Sequence, residues 1–187
     1  MSLRIHTAPT LQPITLAAAQ EHLHVDAGVE ESLISILIDA ATASAEQIMN
    51  RAIMPQKWQL MTDSFNDLIL KMPTVTAVDS VKYVNTSGVL TTLDPSVYQT
   101  VMGSDYEASI ELAYGQTWPD LRNQPECVQV IFSTGYADAA SVPAPIVAWI
   151  KLCVGSLSAT RELETINQTH SLGIADRMLD RYKVHSV

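Results

Sequence analysis

Apolar positions recur at helical spacing near both ends of the chain and alternate with polar ones in between. Near the start, Thr15 is a good N-cap for the short Ala-rich run Leu16-Ala-Ala-Ala-Gln-Glu-His-Leu23. Pro13 discourages helix before it. Asp26 to Gly28 reads as a break, and Glu30 and Glu31 stand where a helix N-terminus favours negative charge. A second helix is expected from about Glu30 to Arg51, ended by Pro55. Its stripe is Ile34, Leu37, Ile38, Ala41, Ala45 and Ile48. Leu33, Ile36, Ala40, Ala43 and Met49 widen the apolar arc. A helix this apolar is expected to be covered on more than one side, either as the central helix of its domain or against another subunit.

The period then changes. Trp58 and Leu60 alternate with Lys57 and Gln59, and Val81 and Tyr83 with Ser80 and Lys82. Leu68, Leu70 and Met72 alternate less cleanly. Ile110, Leu112 and Tyr114 alternate with Glu111 and Ala113, and Val128, Val130 and Phe132 with Gln129 and Ile131. Asn85-Thr-Ser-Gly88 is a turn that can close a hairpin onto Val89 to Leu93. Six short strands of this kind predict a small, mostly antiparallel β unit.

Helical spacing returns after Gly135. Val142-Pro-Ala-Pro145 introduces a helix with the stripe Ile146, Trp149, Ile150, Cys153 and Leu157, expected to end near Glu162 or Glu164. Thr165 to Ser171 reads as loop, and Gly173 onward as a short helix with Ala175, Met178, Leu179 and Tyr182 on one face. The fold class is therefore α+β. A single domain of residues 1–187 is expected, with a helical core from 14–56 and 143–185 and a β insertion over 57–136.

Composition narrows the function. Apolar residues are 47% of the chain and charged residues only 17%, below the usual ~25%, which leaves neutral surface of the kind subunit contacts use. The net charge is −9. Residues 1–56 hold 2 basic and 6 acidic groups, residues 57–142 hold 4 and 10, and residues 143–187 hold 5 and 4, so only the last stretch is not acidic. Binding to nucleic-acid phosphates needs clustered Lys and Arg, and none is seen across the first three quarters. No apolar run is long enough to suggest a membrane span and the first ten residues carry no secretory pattern, so a soluble protein made in a reducing cytoplasm is expected.

Candidate chemistry is sparse. Cys127 and Cys153 are too far apart for a zinc or redox motif and lie among apolar residues, as buried free thiols do. His22 and His24 are two apart and would point away from each other on a helix. Glu21-His22-Leu23-His24 lacks the His-Glu-x-x-His spacing of a metalloprotease. No Gly-x-Ser-x-Gly elbow and no Gly-rich loop followed by Lys-Ser/Thr occurs. Glu30/Glu31, Asp105/Glu107 and Glu162/Glu164 are paired carboxylates, each better read as a helix end or a polar turn than as an acid–base pair. No catalytic residue, cofactor or metal is therefore expected.

The order of landmarks carries a resemblance. Pro13-Ile-Thr-Leu16 opens the short helix ending His22-Leu-His-Val25. The long helix ends Ala45-Glu46 to Asn50-Arg51-Ala-Ile53, and Gln56-Lys-Trp58 starts the strands. Met72-Pro73, Val78-Asp-Ser-Val-Lys-Tyr83 and Trp118-Pro119 follow, then Val130-Ile-Phe-Ser-Thr-Gly135-Tyr136, Val142-Pro143 and Arg161-Glu162. Over residues 10–163 this set resembles the head–tail connector (adaptor) proteins of tailed bacteriophages and prophages. The resemblance implies a virion protein beneath the portal. It implies a ring, commonly of twelve subunits, continued by a stopper or tail-completion protein, with DNA passing through the centre. Many adaptors of this kind are monomers in the host cytoplasm before assembly, and the sequence alone does not fix the state of the isolated chain.

Two other classes compete with it. A small ligand- or protein-binding module would need a pocket with converging polar groups in the β unit. An enzyme would need its carboxylates gathered in a cleft. For the connector, the residues expected at protein contacts are Ile36, Ala40 and Ala43 on the apolar helix. Arg177, Arg181 and Lys183 near the C-terminus are expected to meet the portal.

Overall fold

The computed structural model describes residues 1–102, 107–159 and 177–184. They group into two compact units. One is Met1–Thr10 with Pro55–Gly135, and the other is Leu11–Met54 with Tyr136–Val187.

The first unit is built on two β-sheets. Its larger sheet has five antiparallel strands in the order β1 (Ser2–Thr7), β2 (Gln56–Thr62), β8 (Val128–Thr134), β4 (Val75–Val84), β5 (Leu90–Thr92). A three-stranded antiparallel sheet has the order β3 (Leu68–Leu70), β7 (Ala108–Leu112), β6 (Tyr98–Val101). Strand β8 is central, and its alternation is strict: Val128, Val130, Phe132 and Thr134 are buried while Gln129, Ile131 and Ser133 are half-buried. That is the pattern of a strand with one face on a core. Both sheets feed one cluster, with Leu60, Val81, Val130 and Phe132 from the larger and Leu68, Leu70 and Ile110 from the smaller. Trp118 closes it by stacking on Phe65 at 4.5 Å, and Tyr83 meets Phe65 edge-on at 5.9 Å.

Among the described residues there are eight strands, where the alternation between residues 57 and 136 suggests six. Strand β1 joins the sheet from ahead of the first helix. It is held by backbone pairing to β2 and by Arg4, whose Nε and Nη2 donate to Gln59 Oε1 at 2.9 and 2.8 Å; Gln59 in turn donates to Gln129 at 3.1 Å. Strand β6 is the second addition. Tyr114, expected on a strand, lies beyond the end of β7 and is fully exposed. The Asn85–Gly88 turn forms as its residues dictate. Gly88 N donates to Asn85 O at 2.8 Å and Val89 N to Asn85 Oδ1 at 3.0 Å. Gly88 has φ +84°, and the guanidinium of Arg122 occupies the space a Cβ would need.

The second unit is helical. Helix α1 (Leu16–Leu23) starts at Thr15, whose hydroxyl accepts from Ala18 N at 3.1 Å. Helix α2 (Glu31–Met49) and helix α3 (Ala144–Ala159) pack through Ile34, Ile38, Ala41, Ala45, Ile146, Trp149, Ile150 and Val154. Three stripe positions differ from the sequence reading. On α2 the stripe ends on Met49, fully buried, whereas Ile48 is partly exposed. The reason is tertiary, because residues 177–184 lie against the Met49 end of the helix. On α3 the buried set steps from Ile150 to Val154, which leaves Cys153 at its margin and Leu157 partly exposed. The expected helix end near Glu162 or Glu164, the loop at Thr165 to Ser171 and the start of the last helix at Gly173 lie outside the described residues.

Candidate assembly surfaces

Helix α2 has two apolar faces. At 100° per residue, Ile34, Ile38, Ala41, Ala45 and Met49 point into the helical core. Leu33, Ile36, Ala40, Ala43 and Gln47 point the opposite way, and all five are exposed. Ile36 is 63% exposed, a large value for an isoleucine in the middle of a helix. The 3,4,3,4 spacing of this outer row is the spacing that packs one helix against another. Ala40 and Ala43 in its centre let a partner backbone approach closely. The flank of this row holds Asp39, which accepts from Gln12 Nε2 at 2.8 Å. Between Glu31 and Met49 there are three acidic residues and no basic one.

The C-terminal segment is fastened to the same helix at its other end. Val184 N donates to Met49 O at 2.8 Å, Asn50 Nδ2 to Val184 O at 3.2 Å, and the buried Arg51 Nε to Tyr182 O at 3.1 Å. Leu179 is fully buried in the helical core, with Met178 and Tyr182 against it. Asp180–Tyr182 forms a single 3-10 turn. Arg177 and Arg181 are exposed, while Lys183 pairs with Asp180 at 2.6 Å. Of the six residues expected at contacts, the structure thus puts Ile36, Ala40 and Ala43 on one exposed row and the three basic residues on an anchored C-terminal segment.

The candidate chemistry disperses. Glu31 Oε1 accepts from Gly28 N at 3.0 Å, so that carboxylate closes the turn before α2. Asp105, Glu162 and Glu164 lie outside the described residues. Among the described residues, no three of His, Cys, Asp and Glu form a metal-holding group. His22 and His24 border the same surface depression, despite their helical spacing. Helix α1 stops at Leu23 and His24 takes a left-handed conformation (φ 55°), so both line a depression of about 370 Å³ with Ala18, Glu21 and Lys151. Burial raises the thiol pKa of Cys127 and of Cys153, which disfavours the reactive thiolate. No helix among the described residues is long and apolar enough to cross a membrane.

No protein-family model matches the sequence, and no curated protein matches it. Solved structures do. The fold is that of a chain in the neck of a gene transfer agent particle. A chain of the neck of the empty gene transfer agent (GTA) particle, computed with C6 symmetry, superposes with a TM-score of 0.82 at 19% identity, covering 100% of this chain and 97% of that one. A chain of the native GTA neck, computed with C12 symmetry, gives 0.79 at 18% identity with the same coverage. A chain of the virion of the native GTA particle gives 0.78 at 18% identity, again over 100% and 97%. The match spans the whole of this chain and 97% of each of the others, so the β unit and the helical unit are common to all of them.

Proposed function

We propose that this protein is a non-enzymatic head–tail connector (adaptor) of a tailed bacteriophage or prophage. It assembles in the virion as a ring beneath the portal and continues the DNA channel toward a stopper or tail-completion protein. The observation that carries the reading is the whole-chain agreement of fold with a chain from a GTA neck. A cyclic neck also needs contact surfaces on every subunit, and the outer row of α2 supplies one. In the ring, Ile36, Ala40 and Ala43 meet a neighbouring copy, and the exposed Arg177 and Arg181 face the portal, with Lys183 beside them. The β unit's interior is filled by its own apolar side chains, which favours a structural role over a ligand-binding one.

The test mixes the protein with the portal ring of the same phage or prophage and follows mass by light scattering and shape by electron microscopy. A portal-bound ring is the expected result; a chain that stays monomeric and never joins the portal overturns the reading. Burying an isoleucine is worth about 1.5–3 kcal/mol, so Ile36→Lys should weaken each subunit contact by at least roughly tenfold while leaving the circular dichroism spectrum unchanged. For the portal side the informative variants are Arg177→Glu and Arg181→Glu. Deleting the segment would also remove Leu179 from the core and confuse binding with folding.

A further inference from the structure

A ring of more than two copies cannot be closed by one face meeting itself. A face that pairs with its own copy across a two-fold axis closes at two chains, whereas cyclic rings need two different, complementary faces on each subunit. The outer row of α2 is one such face, so it requires a counterpart. Resting on the ring reading above, we infer that the counterpart is the outer face of α3. The outer row of α2 on one copy then packs against Pro145, Ala148, Leu152, Ser156 and Ala159 of the next.

Two features of this chain support the pairing. The first is shape. Those five residues of α3 lie opposite its buried stripe of Ile146, Trp149, Ile150 and Val154; Ala148 is half-buried and the other four are exposed. At 1.5 Å per residue the row spans about 21 Å, against about 21 Å for Leu33 to Gln47 on α2. Leu152, 41% exposed, is the one large side chain on the α3 row, and Ala40 and Ala43 leave a gap on the α2 row that a leucine fills. The larger Leu33 and Ile36 in turn need small neighbours, which Ser156 and Ala159 or Pro145 and Ala148 provide.

The second feature is charge. Helix α2 carries Glu31, Asp39 and Glu46 and no base. Helix α3 carries Lys151 and no acid. An α2–α2 contact would bring acidic flanks together, whereas an α2–α3 contact brings acid to base. At a solvent-screened rim this sets the choice of partner more than the strength of the contact.

A charge swap on the full-length protein, assembled on its portal ring and imaged by electron microscopy, tests the pairing. Ala40→Glu and Leu152→Lys alone should each abolish the ring, and the double variant should restore it. Both positions are exposed and both new side chains are good helix formers, so unchanged thermal melts identify intact folds. Rings formed normally by Leu152→Lys would overturn the α3 assignment and leave the connector reading standing. So would loss in both single variants without rescue in the double. Failure of the unaltered protein to form any ring would instead remove the connector reading itself.

Discussion

At the scale of single residues, the strongest local effects are caps. Asp138 precedes helix α3 and accepts from Ser141 Oγ at 2.6 Å and from Ser141 N at 2.7 Å. These bonds favour the charged carboxylate and hold its pKa below the ordinary range. Asp94 is lowered in the same way, mainly by Ser96 N at 2.8 Å. A carboxylate whose pKa falls on folding stabilises the fold at pH values above its unfolded pKa, near roughly 4. That contribution disappears as the pH drops through the lower folded value. Urea midpoints at pH 7 and pH 3 should therefore differ more for the wild type than for Asp138→Asn, which has no proton to gain. An equal drop in both proteins would show that the Asp138 cap carries no linkage.

At the scale of elements, helix α2 shows both how far a sequence reading reaches and where it stops. The long apolar period from Ile34 onward announces the helix, and the excess of apolar positions announces a second apolar face, which is exposed in the single chain. Which of Ile48 or Met49 turns inward is not legible from spacing. It depends on residues 177–184, some 130 positions away, which bond to Met49 O and bury Leu179 beside it. Strand β1 was legible in principle, since Leu3 and Ile5 alternate with Arg4 and His6. One strand that short has no meaning until its partner is known, and the partner β2 begins nearly fifty residues later. That His22 and His24 border one depression was hidden for a different reason, because it depends on where one helix stops. The C-terminal fastening makes a prediction at this scale. Leu179→Ala should cost about 2–5 kcal/mol, as removal of a fully buried leucine does, and appear as a lowered urea midpoint. Arg181→Glu, exposed on the same segment, should leave that midpoint within about 0.5 kcal/mol of the original. A small effect of Leu179→Ala would mean that the segment adheres by its backbone bonds alone.

At the scale of the whole molecule, the proposed connector role would put two demands on the same surface. It must offer neutral area to its neighbours, and it must not hold the DNA that a connector lets past. The low charge content serves the first demand through α2 and α3. Between them these helices place 35 residues in the fold with three acids and one base. The net charge of −9 serves the second. Tight attachment to a duplex requires several Lys or Arg contacts that release counterions, and affinity then falls steeply with salt. Among the described residues, the basic groups are scattered over the β unit, stand singly at the buried Arg51 and at Lys151, or gather on the C-terminal segment beside Asp180, where Lys183 is already paired. A fluorescent duplex titrated with the purified protein should show no anisotropy change at physiological salt up to roughly 100 µM, weaker than ordinary non-specific DNA binders. Lowering the salt should not rescue binding, because like charges then repel over a longer Debye length. A salt-sensitive micromolar complex would instead place a basic surface on the DNA path, and Arg177→Glu with Arg181→Glu would show whether the C-terminal segment forms it.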